Sequence, residues 1–205
     1  MSLSVEITKN LLAIKAVQIN PHHYFTWTSG IKSPIYCDNR LTMSYPRVRQ
    51  KITKAFIHMI HQLDEKPDVI AGCATAGIPH AAWLADELNL PLVYVRSSAK
   101  GHGKRNQIEG QVEKGQKVLV IEDLISTGGS SIQAASALKS EGLEVISVFA
   151  IFTYGLSKAS EQFAKQEIPF KTITSFDNLI ETLINNGEIK QKDKEELLMW
   201  RDSFK

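Results

Sequence analysis

The stretch Val118 to Ala135, VLVIEDLISTGGSSIQAA, sets two adjacent carboxylates, Glu122 and Asp123, between an apolar run and a run of small hydroxyl residues and glycines. Acids contribute nothing to a hydrophobic core, so the pair asks for a chemical role. Ser126, Thr127, Gly128, Gly129 and Ser130 combine hydroxyl donors with two residues lacking a Cβ. Backbone N–H groups there can close around a phosphate at the start of a helix. The carboxylates would repel a bare phosphate, but they accept hydrogen bonds from ribose hydroxyls attached to one. The pattern implies a sugar phosphate.

A second segment adds cations. Lys100, His102, Lys104 and Arg105 gather in SSAKGHGKRNQIEG after Arg96, and no acid stands between Arg96 and Asn106. That stretch attracts anions, and Gly101, Gly103 and Gly110 permit it to move. Standing alone it would read as a solvated basic hairpin; its place just before the phosphate-loop strand favours a functional loop. GxGxxG and Walker A sequences are absent, which disfavours a dinucleotide enzyme or a P-loop ATPase. His58 and His61 lack a third metal ligand nearby and read as ordinary helix residues. His22 and His23, beside Tyr24, Phe25 and Trp27, read as a half-buried strand and not as an RNA-stacking surface.

These groups need elements to position them. Ile7, Leu11, Ile14 and Val17 fit one face of an N-terminal helix, and HHYFTWTSG and SPIYCDN look extended. Pro46 starts a helix carrying Val48, Ile52, Ala55, Met59 and Leu63, followed by the strand DVIAG. A helical stripe of Ala81, Leu84, Ala85 and Leu88 precedes LPLVYV. VLVI then leads to a helix with Ile132, Ala135 and Leu138, and EVISVFAIF supplies the next strand. KQKDKEELLMWRDSFK reads as a terminal amphipathic helix. Strands that are continuous apolar runs belong to a parallel sheet covered by helices on both faces, so the class is α/β. Ligands of such sheets bind beyond the carboxyl ends of the strands, where the acidic pair is expected, just after Ile121.

Composition bounds the rest. At 205 residues, 43% hydrophobic and 22% charged, the chain suits one globular domain, and a net charge of +2 argues for neither a nucleic-acid nor a membrane partner. No segment approaches the roughly 18 apolar residues of a membrane span. The N-terminus lacks a signal-like core, and Cys37 and Cys73 stand far apart. A cytoplasmic setting with structural thiols is expected.

VLVIEDLISTGGS resembles the phosphoribosyl pyrophosphate signature of type I phosphoribosyltransferases. RSSAKGHGKRNQIEG is similar to the mobile catalytic loop of the orotate branch of that family. FTWTSGIKSPIYCDNR resembles its N-terminal substrate region, and PDVIAGCATAGIPHAAWLA its pyrophosphate-side loop. The match runs from about residue 20 to 150. It implies the type I phosphoribosyltransferase fold: a central, mostly parallel sheet flanked by helices, with a small N-terminal hood. One domain spans 1–205, with a substrate-covering region over about 1–45, a core over about 46–175 and C-terminal helices over about 176–205.

The resemblance puts the ribose phosphate in Ser126, Thr127, Gly128, Gly129 and Ser130, with Leu124 and Ile125 alongside. It puts the ribose hydroxyls near Glu122 and Asp123, and the pyrophosphate near Arg96, Lys100 and His102. Ser126, Lys32 and Tyr36 lie beside orotate. Lys100, His102 and Asp123 take the catalytic roles. Mg2+ is held mainly by substrate oxygens without a set of protein ligands, and a homodimer shares its loops across the interface. Two departures concern the substrate contacts. Ala76 stands where some members have a lysine, and TYG follows EVISVFAIF where some have an arginine. This leaves Lys32 or backbone amides near Ser33 for the orotate carboxylate.

The implied activity is transfer of phosphoribosyl to orotate, giving orotidine 5-phosphate and pyrophosphate. A purine-base phosphoribosyltransferase and a non-catalytic phosphoribosyl pyrophosphate sensor are the alternatives. The near-neutral charge and the complete basic loop favour the enzyme.

Overall fold

The computed structural model describes residues 2–26, 30, 32–98 and 107–204. Helix α1 (Leu3–Ala13) is followed by four short strands, β1 (Val17–Ile19), β2 (Phe25–Thr26), β3 (Lys32–Ser33) and β4 (Ile35–Cys37). A 3-10 helix (Asn39–Ser44) leads into α2 (Pro46–His61), β5 (Val69–Cys73), α3 (Gly77–Leu88), β6 (Leu92–Val95) and β7 (Ile108–Glu109). Next come β8 (Lys117–Ile125), α4 (Gly129–Ser140), β9 (Glu144–Thr153), α5 (Ser157–Lys165), β10 (Phe170–Ser175), α6 (Phe176–Asn185) and α7 (Gln191–Asp202).

Among the described residues, a six-stranded sheet runs in the order β10-β9-β8-β5-β6-β7. It is parallel except at β7, which pairs antiparallel with β6 at the edge. The apolar runs explain this arrangement: every residue of β5 is buried, and β9 is buried from Ser147 onward. Strand periodicity divides β8 between two cores. Leu119 and Ile121 pack with Phe56, Leu84 and Phe149, under α1, α2, α3 and α6. Val118 and Val120 pack with Ala135, Leu138 and Phe163, under α4 and α5. Fully burying side chains of this size contributes about 1.5–3 kcal/mol each.

The N-terminal hood consists of two antiparallel pairs, β1 with β4 and β2 with β3. Helix α1 lies on β10 and α6, where Thr8 and Thr174 hydroxyls meet at 2.5 Å and Asn178 Nδ2 donates to Ser4 Oγ at 2.9 Å. No helix among the described residues is long and apolar enough to cross a membrane.

Three expectations change. Val17 does not continue α1: the helix ends at Ala13, Lys15 takes a left-handed conformation with φ 59°, and Val17 pairs with Cys37 in β1. His22 and His23 are exposed and lie outside any strand, because Asn20 Oδ1 accepts both of their N–H groups at 3.1 and 3.0 Å and turns the chain. Glu122 and Asp123 lie inside β8 instead of after it. The ten-residue strand β9 extends the ladder to Ile125, whereas the last β5 pair is Gly72 with Ile121.

Candidate active site

That unequal ladder makes the site. Beyond Ile121 strand β8 is paired on the β9 side, and its other side faces the turn Ala74, Thr75 and Ala76 after β5. A cavity of about 360 Å³ opens there, lined by that turn, Glu122, Asp123, Leu124 and Ser126 to Ser130. The sequence run thus closes on itself as one concave surface.

Gly128 makes the turn into α4. Its φ is 83°, and a Cβ there would stand 2.7 Å from the Phe163 ring, so a side chain is excluded by conformation and by space. Gly128 is the N-cap of α4 and no side chain caps the helix. The first N–H groups of α4 therefore have no intrahelical acceptor, and the positive end of the helix lies beside the cavity. The turn thus offers the free N–H groups that the anion cradle expected from the sequence would use.

Glu122 is 6% exposed. Its Oε1 accepts the N–H of Asp123 at 3.0 Å, and its Oε2 accepts the Ser130 and Ser131 hydroxyls at 3.2 and 3.3 Å. Burial first, and then the neighbouring Asp123, push Glu122 up to about 8. Burial also raises Asp123, which is the more accessible of the two. Burial and the nearby Glu122 push the Cys73 thiol up, in keeping with a structural cysteine.

Arg96 follows β6 and is half-buried, with Nη1 donating to Glu109 Oε1 at 3.2 Å. It borders a small cleft shared with Ala74 and Ser130, which also line the main cavity. Lys32 and Tyr36 are exposed on the hood and do not line the cavity. Lys32 contributes its carbonyl to Trp200 Nε1 at 3.3 Å, and Tyr36 packs against Phe25 with ring centroids 5.9 Å apart. Lys100 and His102 lie outside the described residues, as do Gly101, Gly103, Lys104, Arg105, Asn106 and Trp27.

Two neighbours were not anticipated. Arg40, exposed and clamped on Asp38 at 2.6 and 2.9 Å, acts electrostatically on Asp123. Tyr154 occupies the buried position after β9, and its hydroxyl is held well above the usual range by burial and then by Cys37, Asp123 and Tyr36. Both were present in the quoted strings SPIYCDNR and TYG, but nothing in their spacing joins residues 40, 123 and 154. His58 meets Gln62 at 3.1 Å, and no group of three or more His, Cys, Asp or Glu able to hold a metal occurs among the described residues. Asp123, the more accessible carboxylate at the cavity, is a hard oxygen donor that suits a magnesium ion taking its other oxygens from a substrate.

Comparison with known proteins converges on one family. Residues 44–181 match the phosphoribosyl transferase domain. A protein of Oceanobacillus iheyensis named orotate phosphoribosyltransferase is 62% identical over 202 residues, covering 98% of this chain and 100% of that one. The crystal structure of orotate phosphoribosyltransferase from Aeropyrum pernix superposes with a TM-score of 0.76 at 28% identity, over 90% of this chain and 99% of that one. The structure of Leishmania donovani UMP synthase superposes with a TM-score of 0.79 at 30% identity over 96% of this chain, which spans 42% of that longer protein.

Proposed function

The chain belongs to the phosphoribosyl transferase family and, within it, to the orotate phosphoribosyltransferases, and from that premise we propose that it transfers the 5-phosphoribosyl group of phosphoribosyl pyrophosphate to orotate. The products are orotidine 5-phosphate and pyrophosphate, a step of pyrimidine nucleotide synthesis. The observation that carries this reading is the buried Glu122 and the more open Asp123 in one cavity with the uncapped start of α4. A phosphate needs the latter, and a ribose bearing it needs the former.

In this reading Ser126 to Ser130 hold the 5-phosphate, with Leu124 and Ile125 shaping the entry. Asp123, the more open acid, takes the ribose hydroxyls, backed by Glu122. Orotate lies between Ser126 and the hood residues Lys32 and Tyr36. Arg96, Lys100 and His102 address the pyrophosphate, and the loop carrying Lys100 and His102 serves the neighbouring subunit of a homodimer. Asp123 would stand beside a magnesium ion carried mainly by substrate oxygens, and that ion would supply neutralising charge for the pyrophosphate. The setting is cytoplasmic.

The chemistry follows from charge. The anomeric C–O bond breaks with its electron pair leaving on pyrophosphate, the ribose becomes oxocarbenium-like before the pyrimidine nitrogen bonds to it, and the proton on that nitrogen is released to solvent. Cations placed in advance at Lys100, Arg96 and His102 stabilise that separation more than the ground state. His102 acts as a hydrogen-bond donor, since an oxygen already neutralised does not require a proton. Asp123 lies on the sugar side, where positive charge develops.

The test is loss of orotate absorbance with purified protein, phosphoribosyl pyrophosphate and magnesium, with adenine, hypoxanthine and uracil as parallel acceptors. Consumption of orotate that requires every component is the expected result. Reaction with another base would overturn the acceptor, and no reaction with any base would overturn the enzymatic reading.

A further inference from the structure

A buried polar chain runs from α3 to the carboxylate pair. His80, in the first turns of α3 and 1% exposed, meets Thr42 Oγ1 through Nε2 at 3.2 Å. Thr42 has one hydroxyl hydrogen and donates it to the carbonyl of Asn39 at 2.6 Å, so the proton between Thr42 and His80 belongs to Nε2. Asn39, also 1% exposed, donates Nδ2 to the carbonyl oxygen of Asp123 at 2.7 Å. The reverse amide orientation would set two acceptors face to face. Asn39 Oδ1 and His80 Nδ1 are buried without hydrogen-bond partners among the described residues, so the contact just named is the one side-chain hydrogen bond shown for each; the His80 ring also packs edge-on against Trp83 at 5.3 Å.

The position of this chain gives it a purpose. β5 makes its last pair with β8 at Ile121, so the backbone of Asp123 lies past the end of that ladder, and the Asn39 amide supplies a donor a neighbouring strand would otherwise bring. Asp38, whose Oδ1 accepts the Arg40 N–H at 3.2 Å, fixes the start of the 3-10 helix that presents Asn39. Helix α3 begins directly after the Ala74 to Ala76 turn, so the chain ties one wall of the cavity to the other.

We propose that Asn39 is a positioning residue for the sugar end of the site: its amide holds the main chain of Asp123, and with it the carboxylate pair, where the ribose hydroxyls dock. Thr42 holds Asn39 from within the same 3-10 helix, and His80 braces Thr42 from α3. This rests on the reading of Asp123 as the ribose-binding acid.

The experiment is steady-state kinetics with phosphoribosyl pyrophosphate and orotate varied separately, on Asn39→Ala, Thr42→Val, Thr42→Ser and Asp123→Asn. Asn39→Ala is expected to raise the KM for phosphoribosyl pyrophosphate about tenfold, equivalent to about 1.4 kcal/mol, with the KM for orotate unchanged. Thr42→Val should move the same constant in the same direction, and Thr42→Ser, which keeps the hydroxyl, should restore it. Equal rises in both KM values, or an unchanged KM for phosphoribosyl pyrophosphate, overturn the proposal. If Asn39→Ala fails to fold, the Thr42 pair decides alone: a Thr42→Val enzyme with the wild-type constant overturns it. Asp123→Asn separates the two readings. No effect there removes the ribose-binding assignment itself, whereas loss there beside an unaffected Asn39→Ala removes the positioning role alone.

Discussion

A Cβ added to Gly77 would stand 2.4 Å from the carbonyl oxygen of Ile121 and 3.3 Å from the Cα of Glu122. The first residue of α3 thus presses on β8 at the point where the acidic pair begins. Both obstructing atoms are main chain, which cannot rotate aside.

Gly77→Ala should therefore push α3 away from β8. Overpacking of this kind costs about 1–3 kcal/mol, and for a chain of this length each kcal/mol lowers the thermal midpoint by roughly 2–4 °C. A scan of the variant showing the wild-type midpoint would mean that the contact yields freely.

Glu122 makes stability depend on pH. Its carboxyl is pushed up to about 8 from an ordinary 4.5, so the folded protein keeps a proton that the unfolded chain releases between those values. The resulting contribution is fully present below about pH 4.5 and is lost as pH rises through about 8. Urea midpoints of the wild type should fall across the upper part of that window, and those of Glu122→Gln should fall less. Equal slopes would place the titration on another group.

His80 acts in the opposite sense. Burial lowers its imidazole from 6.5 to about 4, so the unfolded chain binds a proton there first. Its contribution is present above about pH 6.5 and is lost as pH falls through about 4. His80→Gln should flatten the acid side of the stability profile. Between about pH 4.5 and 6.5 the Glu122 and His80 slopes oppose each other, and the wild type should show a plateau. A steep wild-type slope within that interval would contradict this assignment.

On the proposed mechanism, Lys100→Ala should lower kcat far more than it weakens binding of phosphoribosyl pyrophosphate, because that mechanism uses its charge most as pyrophosphate departs. Comparable losses in turnover and in equilibrium binding would assign Lys100 to ground-state attraction instead.

Much of this site could be read from residues adjacent in the chain. Glu122, Asp123 and the run Ser126 to Ser130 fall within nine consecutive residues, so their chemistry is local: the end of a strand, two acids and a turn in which Gly128 and Gly129 lack a Cβ. Val17 and the His22–His23 pair depart from the expected helix and strand because one left-handed residue, Lys15, and one side chain, Asn20, redirect the backbone against its periodicity. The edge strand β7 was not anticipated, since two residues carry no usable period.

The amino-acid sequence alone determined the α/β class, the family and the turn of small residues after the acidic pair, because apolar runs and short contiguous motifs are written in neighbouring residues. The tertiary structure alone decided that Glu122 is the buried acid and Asp123 the open one, that β5 ends its ladder short of them, and that Asn39, Thr42 and His80 stand behind them. Residue 39 meets residue 123 across a separation of 84 positions. Burial and long-range hydrogen bonds of that kind arise from packing, which no local pattern encodes.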